Sequence, residues 1–335
     1  MKLIIPMAGL GTRMRPHTWT RPKPLLPLAG KPMLAHVLER FRELPIEEYV
    51  FITGWLGDQV EQYIRENYDL PAHFVEQQET LGQAHAIWLA RDYLEGPAFL
   101  LFVDTLFDGA DFGGLDAPGL DGVIYTKEVD DPRRFGVVET DAEGRALRLI
   151  EKPDSMDNRN VLMGLYYFRD SARLARACGE LMERRIQTKG EYYLADAITL
   201  MIEEGAVFQT RPVEVWEDTG KPETTFLTHR YILEHGYDNS MEAVRPGVAI
   251  IPPVYIDPRA EVERSVIGPY VSIHAGAKVR ESVVRDAVID EGSQVEGMLL
   301  DHALVGRWVT LRGAFRSFNI GDSSSVLDPS VWEAE

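Results

Sequence analysis

A single cysteine, Cys178, leaves this 335-residue chain without the means to form an intrachain disulfide. Long apolar runs are missing too, and nothing approaches the roughly 20 residues a helix needs to cross a bilayer. Basic residues are scarce: 35 Lys and Arg against 53 Asp and Glu give a formal charge of -18 and a pI near 4.9. Long nucleic acids bind through basic surface, so neither nucleic acid nor a membrane is an expected partner. Met1-Lys2 leads at once into an apolar run, so no secretory leader is expected and the cytoplasm is the expected compartment. With 45% hydrophobic and 26% charged residues the composition is globular, and the length suits one large α/β domain with a smaller appendage.

One stretch lacks acid altogether. The first 38 residues contain no Asp or Glu, yet carry Lys2, Arg13, Arg15, Arg21, Lys23 and Lys31. A local reversal of sign in an acidic chain marks a site for an anionic ligand. Leu3-Ile4-Ile5 reads as a buried strand that feeds Gly9-Leu10-Gly11-Thr12-Arg13, where small residues let backbone N–H groups approach an anion closely. A dinucleotide fingerprint is excluded, because Met14 takes the third small position and Pro16, Pro22, Pro24 and Pro27 forbid a helix. A Walker loop is excluded as well, since Gly30-Lys31 is followed by Pro32 rather than Ser or Thr.

The longer pattern, G-x-G-T-R, Pro16, Thr18, Pro22-Lys23-Pro24, Leu26-Pro27 and Gly30-Lys31-Pro32, resembles the signature of the sugar-1-phosphate nucleotidyltransferases. The resemblance implies an enzyme that joins a hexose 1-phosphate to an NTP and releases pyrophosphate. It implies that Gly9, Leu10, Gly11, Thr12, Arg13 and Lys23 wrap the triphosphate, with Arg13 and Lys23 on its phosphates. Further matches follow in order. Gln77 to Ala84 resembles the segment that reads the nucleobase, with Gln77 on the base edge and Gly82 against the ring; a side-chain amide offers both the donor and the acceptor that this needs. Gln83 stands where relatives commonly carry Thr, and His85 reads as a packing or surface residue.

Ala98 to Asp104 is an apolar run ending in a carboxylate. By the resemblance Asp104 binds the catalytic Mg²⁺, although Val103 stands where relatives usually have Gly. The segments around Gly136 and around Glu151-Lys152, flanking a hairpin turn at Asp141 to Gly144, match those lining a sugar-phosphate pocket, and Gly164 matches the glycine beneath the sugar. Val207 to Trp216 alternates like a strand, and Asp218 just beyond it is the counterpart of the second metal ligand. Elsewhere strands alternate with amphipathic helices, which predicts a mostly parallel, Rossmann-like α/β sheet over residues 1–236.

After a linker, 237–253, the period changes. Ile256, Val262, Ile267, Ile273, Val279, Val284, Ile289, Val295, Leu300, Val305 and Leu311 recur every five or six residues, which suits neither a helix nor a single strand face. Such spacing predicts a hexapeptide-type β-solenoid over 254–320, followed by a tail at 321–335. This region resembles the C-terminal left-handed parallel β-helix of long-form glucose-1-phosphate thymidylyltransferases, and a structural or oligomerising role is expected of it in a homo-oligomer. Glucose 1-phosphate with dTTP is therefore the favoured substrate pair. UTP with glucose 1-phosphate, or GTP with mannose 1-phosphate, would use the same frame. A catalytically silent sugar-nucleotide sensor is the competing class.

Overall fold

The computed structural model describes residues 1–314; the end of the expected solenoid, 315–320, and the tail, 321–335, lie outside the described residues. A nine-stranded, parallel-rich mixed sheet is organised around the strand Lys2–Pro6, which is buried along its whole length. It pairs in parallel with Glu48–Thr53 on one side and Ala98–Leu101 on the other. Ala72–Glu76 extends the first side, also in parallel. Beyond Ala98–Leu101 lies the antiparallel strand Asn160–Phe168, then Gly136–Thr140 and Ala146–Glu151. Gly122–Glu128 also pairs with Asn160–Phe168 and carries Phe208–Pro212 in parallel.

Successive residues of the first strand point to opposite faces. Ile4 joins a core with the helices Gln83–Leu89, Ser171–Glu183 and Leu194–Glu203. Leu3 and Ile5 join a second core with Met33–Arg40 and Gly57–Asn67. A strand buried on both faces has to be apolar throughout, which is why it reads as a continuous run. The chain builds outward from Lys2–Pro6 to Ala72–Glu76, then crosses back to lay Ala98–Leu101 on the other flank. That reversal opens a crevice at the carboxyl ends of the two strands, the usual ligand position in such sheets.

Two expected strands end early, and both departures shape the crevice. The apolar run from Ala98 pairs only as far as Leu101; Thr105 N then donates to Phe102 O, so Asp104 sits in a turn leading into the short strand Thr105–Asp108. The stretch Val207 to Trp216 is not one strand. Its pairing with Gly122–Glu128 ends at Pro212, with Val213 N donating to Thr126 O at 3.0 Å, and the chain resumes as Val215–Asp218, antiparallel to Thr105–Asp108 in a separate two-stranded sheet.

The solenoid is a three-faced parallel β-helix, consistent with the left-handed type, with four strands on each face. The aliphatic positions stack inward as Ile256-Ile273-Ile289-Val305, Val262-Val279-Val295-Leu311 and Ile250-Ile267-Val284-Leu300. Outward, one face carries ion pairs such as Glu261 with Lys278. A second presents Tyr255, Ser272, Val288 and Leu304 to the sheet region, where Tyr255, Val288 and Leu304 pack on its second core and Ser272 meets His229. The third bears Val266, Val283 and Leu299, the last 82% exposed.

Candidate functional site

The glycine loop closes over the crevice in three single 3-10 turns, Thr12–Met14, His17–Trp19 and Lys23–Leu25. Gly11 has φ +60, and a Cβ there would meet Thr18 Cγ2 at 3.0 Å and Lys23 Cβ at 3.3 Å. Only glycine suits that combination of backbone and space. Thr18 Oγ1 donates to Gly11 O at 2.8 Å, which folds the loop onto itself and turns Arg13 and Lys23 toward one cavity of about 430 Å³. Gly9, Leu10, Gly11, Thr12, Arg13, Lys23, Gln77, Gly82 and Asp104 all line it.

The two carboxylates converge. Pairing of Asp218 with Thr105 sets Asp218 beside the turn that holds Asp104. Lys23 Nζ donates to Asp104 Oδ2 at 2.7 Å. Asp218 Oδ1 accepts from Gly220 N at 2.9 Å and Oδ2 from Thr224 Oγ1 at 3.1 Å. A Cβ on Gly220 would lie 2.9 Å from Asp218 Oδ1 and 3.3 Å from Arg13 Nη2, so the guanidinium and the carboxylate flank this glycine closely. Burial pushes the Asp104 carboxyl up, but the charge and hydrogen bond of Lys23 outweigh it and leave it below the ordinary range. For Asp218 burial and then the charge of Asp104 push upward, and that direction wins.

At the other end of the cavity, Gln77 Nε2 donates to Gly82 O at 3.0 Å and lies 3.0 Å from His85 Nδ1. A carbonyl oxygen accepts only, so the amide nitrogen must face Gly82. Both its hydrogens are then engaged when His85 Nδ1 is the unprotonated ring nitrogen, and burial does push the His85 pKa down. No donor among the described residues reaches Gln77 Oε1. Gly82, at φ +114, has the backbone of Tyr192 where a Cβ would stand, 2.5 Å from its oxygen. Tyr192 N donates to Leu81 O and Ala84 N to Tyr192 O, so the 188–193 segment pins this loop.

Gly136, Glu151, Lys152 and Gly164 are not in the lining of that cavity. Gly136 and Glu151 are register partners, and a Cβ on Gly136 would come within 2.9 Å of Glu151 Oε2. Lys152 Nζ donates to Tyr193 Oη at 2.9 Å. Burial raises the Glu151 pKa, as it does that of Asp196, whose Oδ2 is buried without a partner. Gly164, at φ +94, backs onto Phe102 and Thr105, and its carbonyl accepts from Phe102 N. It thereby supports the turn that carries Asp104.

The family model for nucleotidyl transferases matches residues 2–235. The chain belongs to this family. It is 32% identical over 250 residues to the low-salt glycan biosynthesis nucleotidyltransferase Agl11 of Haloferax volcanii, a match covering 70% of this chain and 66% of that protein. To the bifunctional protein GlmU of Methanococcus vannielii it is 28% identical over 236 residues, covering 70% of this chain but 56% of the relative. To a glucose-1-phosphate thymidylyltransferase of Streptomyces antibioticus it is 28% identical over 357 residues, covering 97% of this chain and 99% of the relative. A UDP-glucose pyrophosphorylase crystallised with UDP-glucose shares the fold, with a TM-score of 0.61 and 21% identity over 70% of this chain and 98% of that one.

Nucleotidyltransferases of this family use a divalent metal. Asp104 and Asp218 are suited to hold one, because two hard oxygen donors that repel each other are what an octahedral, oxygen-preferring cation offsets. Burial first and then the charge of Asp104 raise the Asp218 pKa, so the second cause is that repulsion. Among the described residues the one cluster of three metal-capable groups lies elsewhere, at Asp286, Asp301 and His302 in the solenoid. There Arg230 already binds both oxygens of Asp286 at 2.7 Å, so the local charge is answered by a guanidinium.

Sequence reasoning missed His85, Gly220 and Thr224. The last two lie in the stretch just after Asp218, where a short polar turn could have signalled a carboxylate clamp. Nothing local marks His85, because its partner Gln77 is eight positions away across an irregular loop.

Proposed function

We propose that the chain is a glucose-1-phosphate thymidylyltransferase, converting dTTP and glucose 1-phosphate into an NDP-sugar and pyrophosphate. The observation that carries this reading is the end-to-end match to the Streptomyces antibioticus protein of that name, solenoid included. The acceptor left open on Gln77 supports it. Thymine and uracil each present N3–H to an acceptor, guanine presents N1–H, and cytosine presents an unprotonated N3 there. UTP is the close alternative because the same amide serves it.

In this proposal Gly9, Leu10, Gly11, Thr12, Arg13 and Lys23 bind the triphosphate, and Gln77 and Gly82 hold the base. Gly136, Glu151, Lys152 and Gly164 take the sugar phosphate. A phosphate oxygen of the sugar substrate attacks the α-phosphorus in line, and pyrophosphate leaves with the electrons of the α–β bridging bond. Little covalent help is needed, so the residues act by placement and by neutralising charge. Arg13 and Lys23 stabilise charge on the phosphates, Lys152 orients the nucleophile, and Glu151 accepts from sugar hydroxyls. Asp104 and Asp218 would hold Mg²⁺, which when bound draws charge from the reacting phosphate oxygens. Residues 1–236 form the catalytic unit; the solenoid, expected from 254, already begins with Ala249–Ile250 inside the expected linker 237–253, and its described part runs to 314. The outward row Val266, Val283 and Leu299 supports a homo-oligomer, and the cytoplasm is the proposed compartment.

A matrix of five NTPs against glucose, N-acetylglucosamine and mannose 1-phosphates, read by pyrophosphate release, tests the reading. The expected best pair is dTTP or UTP with glucose 1-phosphate, with CTP lower by about 10²-fold or more because the open acceptor on Gln77 then faces another acceptor. Best turnover with GTP and mannose 1-phosphate would overturn the substrate assignment. Absence of turnover with tight NDP-sugar binding would make the protein a sensor.

A further inference from the structure

The solenoid reaches into the phosphate loop. Asp290, just after the rung strand Ala287–Ile289, accepts through Oδ2 from Arg21 Nη1 at 2.7 Å across 269 positions of sequence. Both side chains are nearly buried, at 12% and 10% exposure. Arg21 stands two residues before Lys23, whose ammonium meets Asp104. Asp290 is itself rigidly held, since its N donates to Val305 O at 2.9 Å and its Oδ1 accepts from Glu291 N at 2.7 Å.

The loop needs such an anchor. Between Pro6 and Met33 the chain makes three single 3-10 turns and two strands of two residues. Pro16, Pro22, Pro24, Pro27 and Pro32 remove five backbone donors from it. A segment with so few internal bonds takes its shape from what it packs against. The solenoid supplies much of that: Arg307 Nη2 donates to Thr20 O at 3.3 Å, and Val288 and Leu304 share a core with Leu25 and Leu28.

We propose that Asp290 is a positioning residue for nucleotidyl transfer, holding Arg21 so that Lys23 is placed for the triphosphate although Asp290 touches no substrate. This rests on the reading of the loop as the NTP site. Breaking a desolvated pair on one side leaves an uncompensated buried charge, so Arg21 turns toward water and carries residues 20–23 with it. A misplacement of about 1 Å at a reacting group costs on the order of 10²-fold in rate.

The test is steady-state kinetics on the full chain with each substrate varied in turn. Asp290→Asn is expected to lower kcat/KM for the NTP about 10- to 100-fold, raising its KM and lowering kcat, while the KM for sugar 1-phosphate changes by less than about twofold. Asp290→Glu should restore most of the loss. Arg21→Ala combined with Asp290→Asn should be no worse than the poorer single variant, because both remove one contact. If Asp290→Asn does not fold, Arg21→Lys should give the same split between the two KM values. Unchanged NTP kinetics in a folded Asp290→Asn chain, or equal changes in both KM values, would overturn the proposal. Lys23→Ala separates the two readings: normal activity there sinks the NTP assignment of the loop, whereas a damaged Lys23→Ala beside a normal Asp290→Asn sinks only the positioning role.

Discussion

Lowering the pH from 7.5 to 5.5 should loosen the seam between sheet and solenoid, because three buried histidines meet there. His36 in Met33–Arg40 is hydrogen-bonded to Leu28 O at 2.8 Å, with its ring edge-on to Tyr237. His229 in Pro222–Ile232 meets Ser272 Oγ at 2.6 Å through Nε2, while its Nδ1 has no partner. His274 in the solenoid has a buried Nε2 without a partner. Burial pushes their pKa values down to about 4, 3 and 4 respectively. Asp286 beside His229, Asp257 beside His274 and Glu39 beside His36 pull upward, but less strongly. In the unfolded chain each ring takes its proton near about 6.5. Below that pH the unfolded state therefore binds more protons, so stability falls as pH falls from about 6.5 toward the folded values.

Each histidine contributes about 1.4 kcal/mol per pH unit in that window, so the three together remove about 4 kcal/mol by pH 5.5. That is a large share of a typical domain stability of about 5–15 kcal/mol. Ordinary carboxylates near about 4 stay charged over this range, while Glu151, Asp196, Glu217, Asp218 and Asp290, raised by burial, take protons first in the folded state and oppose part of the loss. Urea unfolding at pH 7.5, 6.5 and 5.5, followed by tryptophan fluorescence and limited proteolysis, measures the effect. His274→Leu removes one protonatable ring and one unpartnered buried nitrogen, so it should cut the pH dependence by about one third without lowering stability at pH 7.5. An unfolding free energy that stays flat between pH 7.5 and 5.5 would refute the argument, as would an unchanged slope in His274→Leu.

Asp104→Asn and Asp218→Asn should each abolish most activity in a folded protein, with strongly non-additive effects, since either damages the same pair; a folded Asp218→Asn chain with parental rate and Mg²⁺ dependence would leave Asp218 a turn residue. Lys23→Ala should lower turnover by roughly 10²-fold or more, on the scale of losing one preorganised donor, as read by pyrophosphate release. Gly82→Ala combines an unfavourable φ of +114 with a Cβ placed 2.5 Å from Tyr192 O, so nucleotide affinity measured by calorimetry should fall at least about tenfold; parental affinity would show that the 188–193 segment yields freely.

Local chemistry made much of this protein legible in its sequence. The first strand is readable because a strand buried on both faces has no polar position to interrupt the run Leu3-Ile4-Ile5. The irregular loop is readable because Gly11 and four prolines dictate backbone conformation without help from distant residues. The solenoid is readable because each rung repeats the same inward aliphatic position, so three columns of tertiary contacts appear as one period in the chain. Other features were decided only when the chain closed. Nothing in the alternation from Val207 to Trp216 shows that the chain leaves one sheet after Pro212, joins a second and brings Asp218 beside Thr105. His85 reads as a packing residue until the fold lays it 3.0 Å from Gln77 and so orients that amide. Arg21 and Asp290 lie 269 positions apart and meet because the solenoid folds back on the loop. Backbone preference and periodicity act over a few residues, so sequence carries them openly, whereas the partners of a buried charge or ring nitrogen are whatever the packed cores leave within about 3 Å.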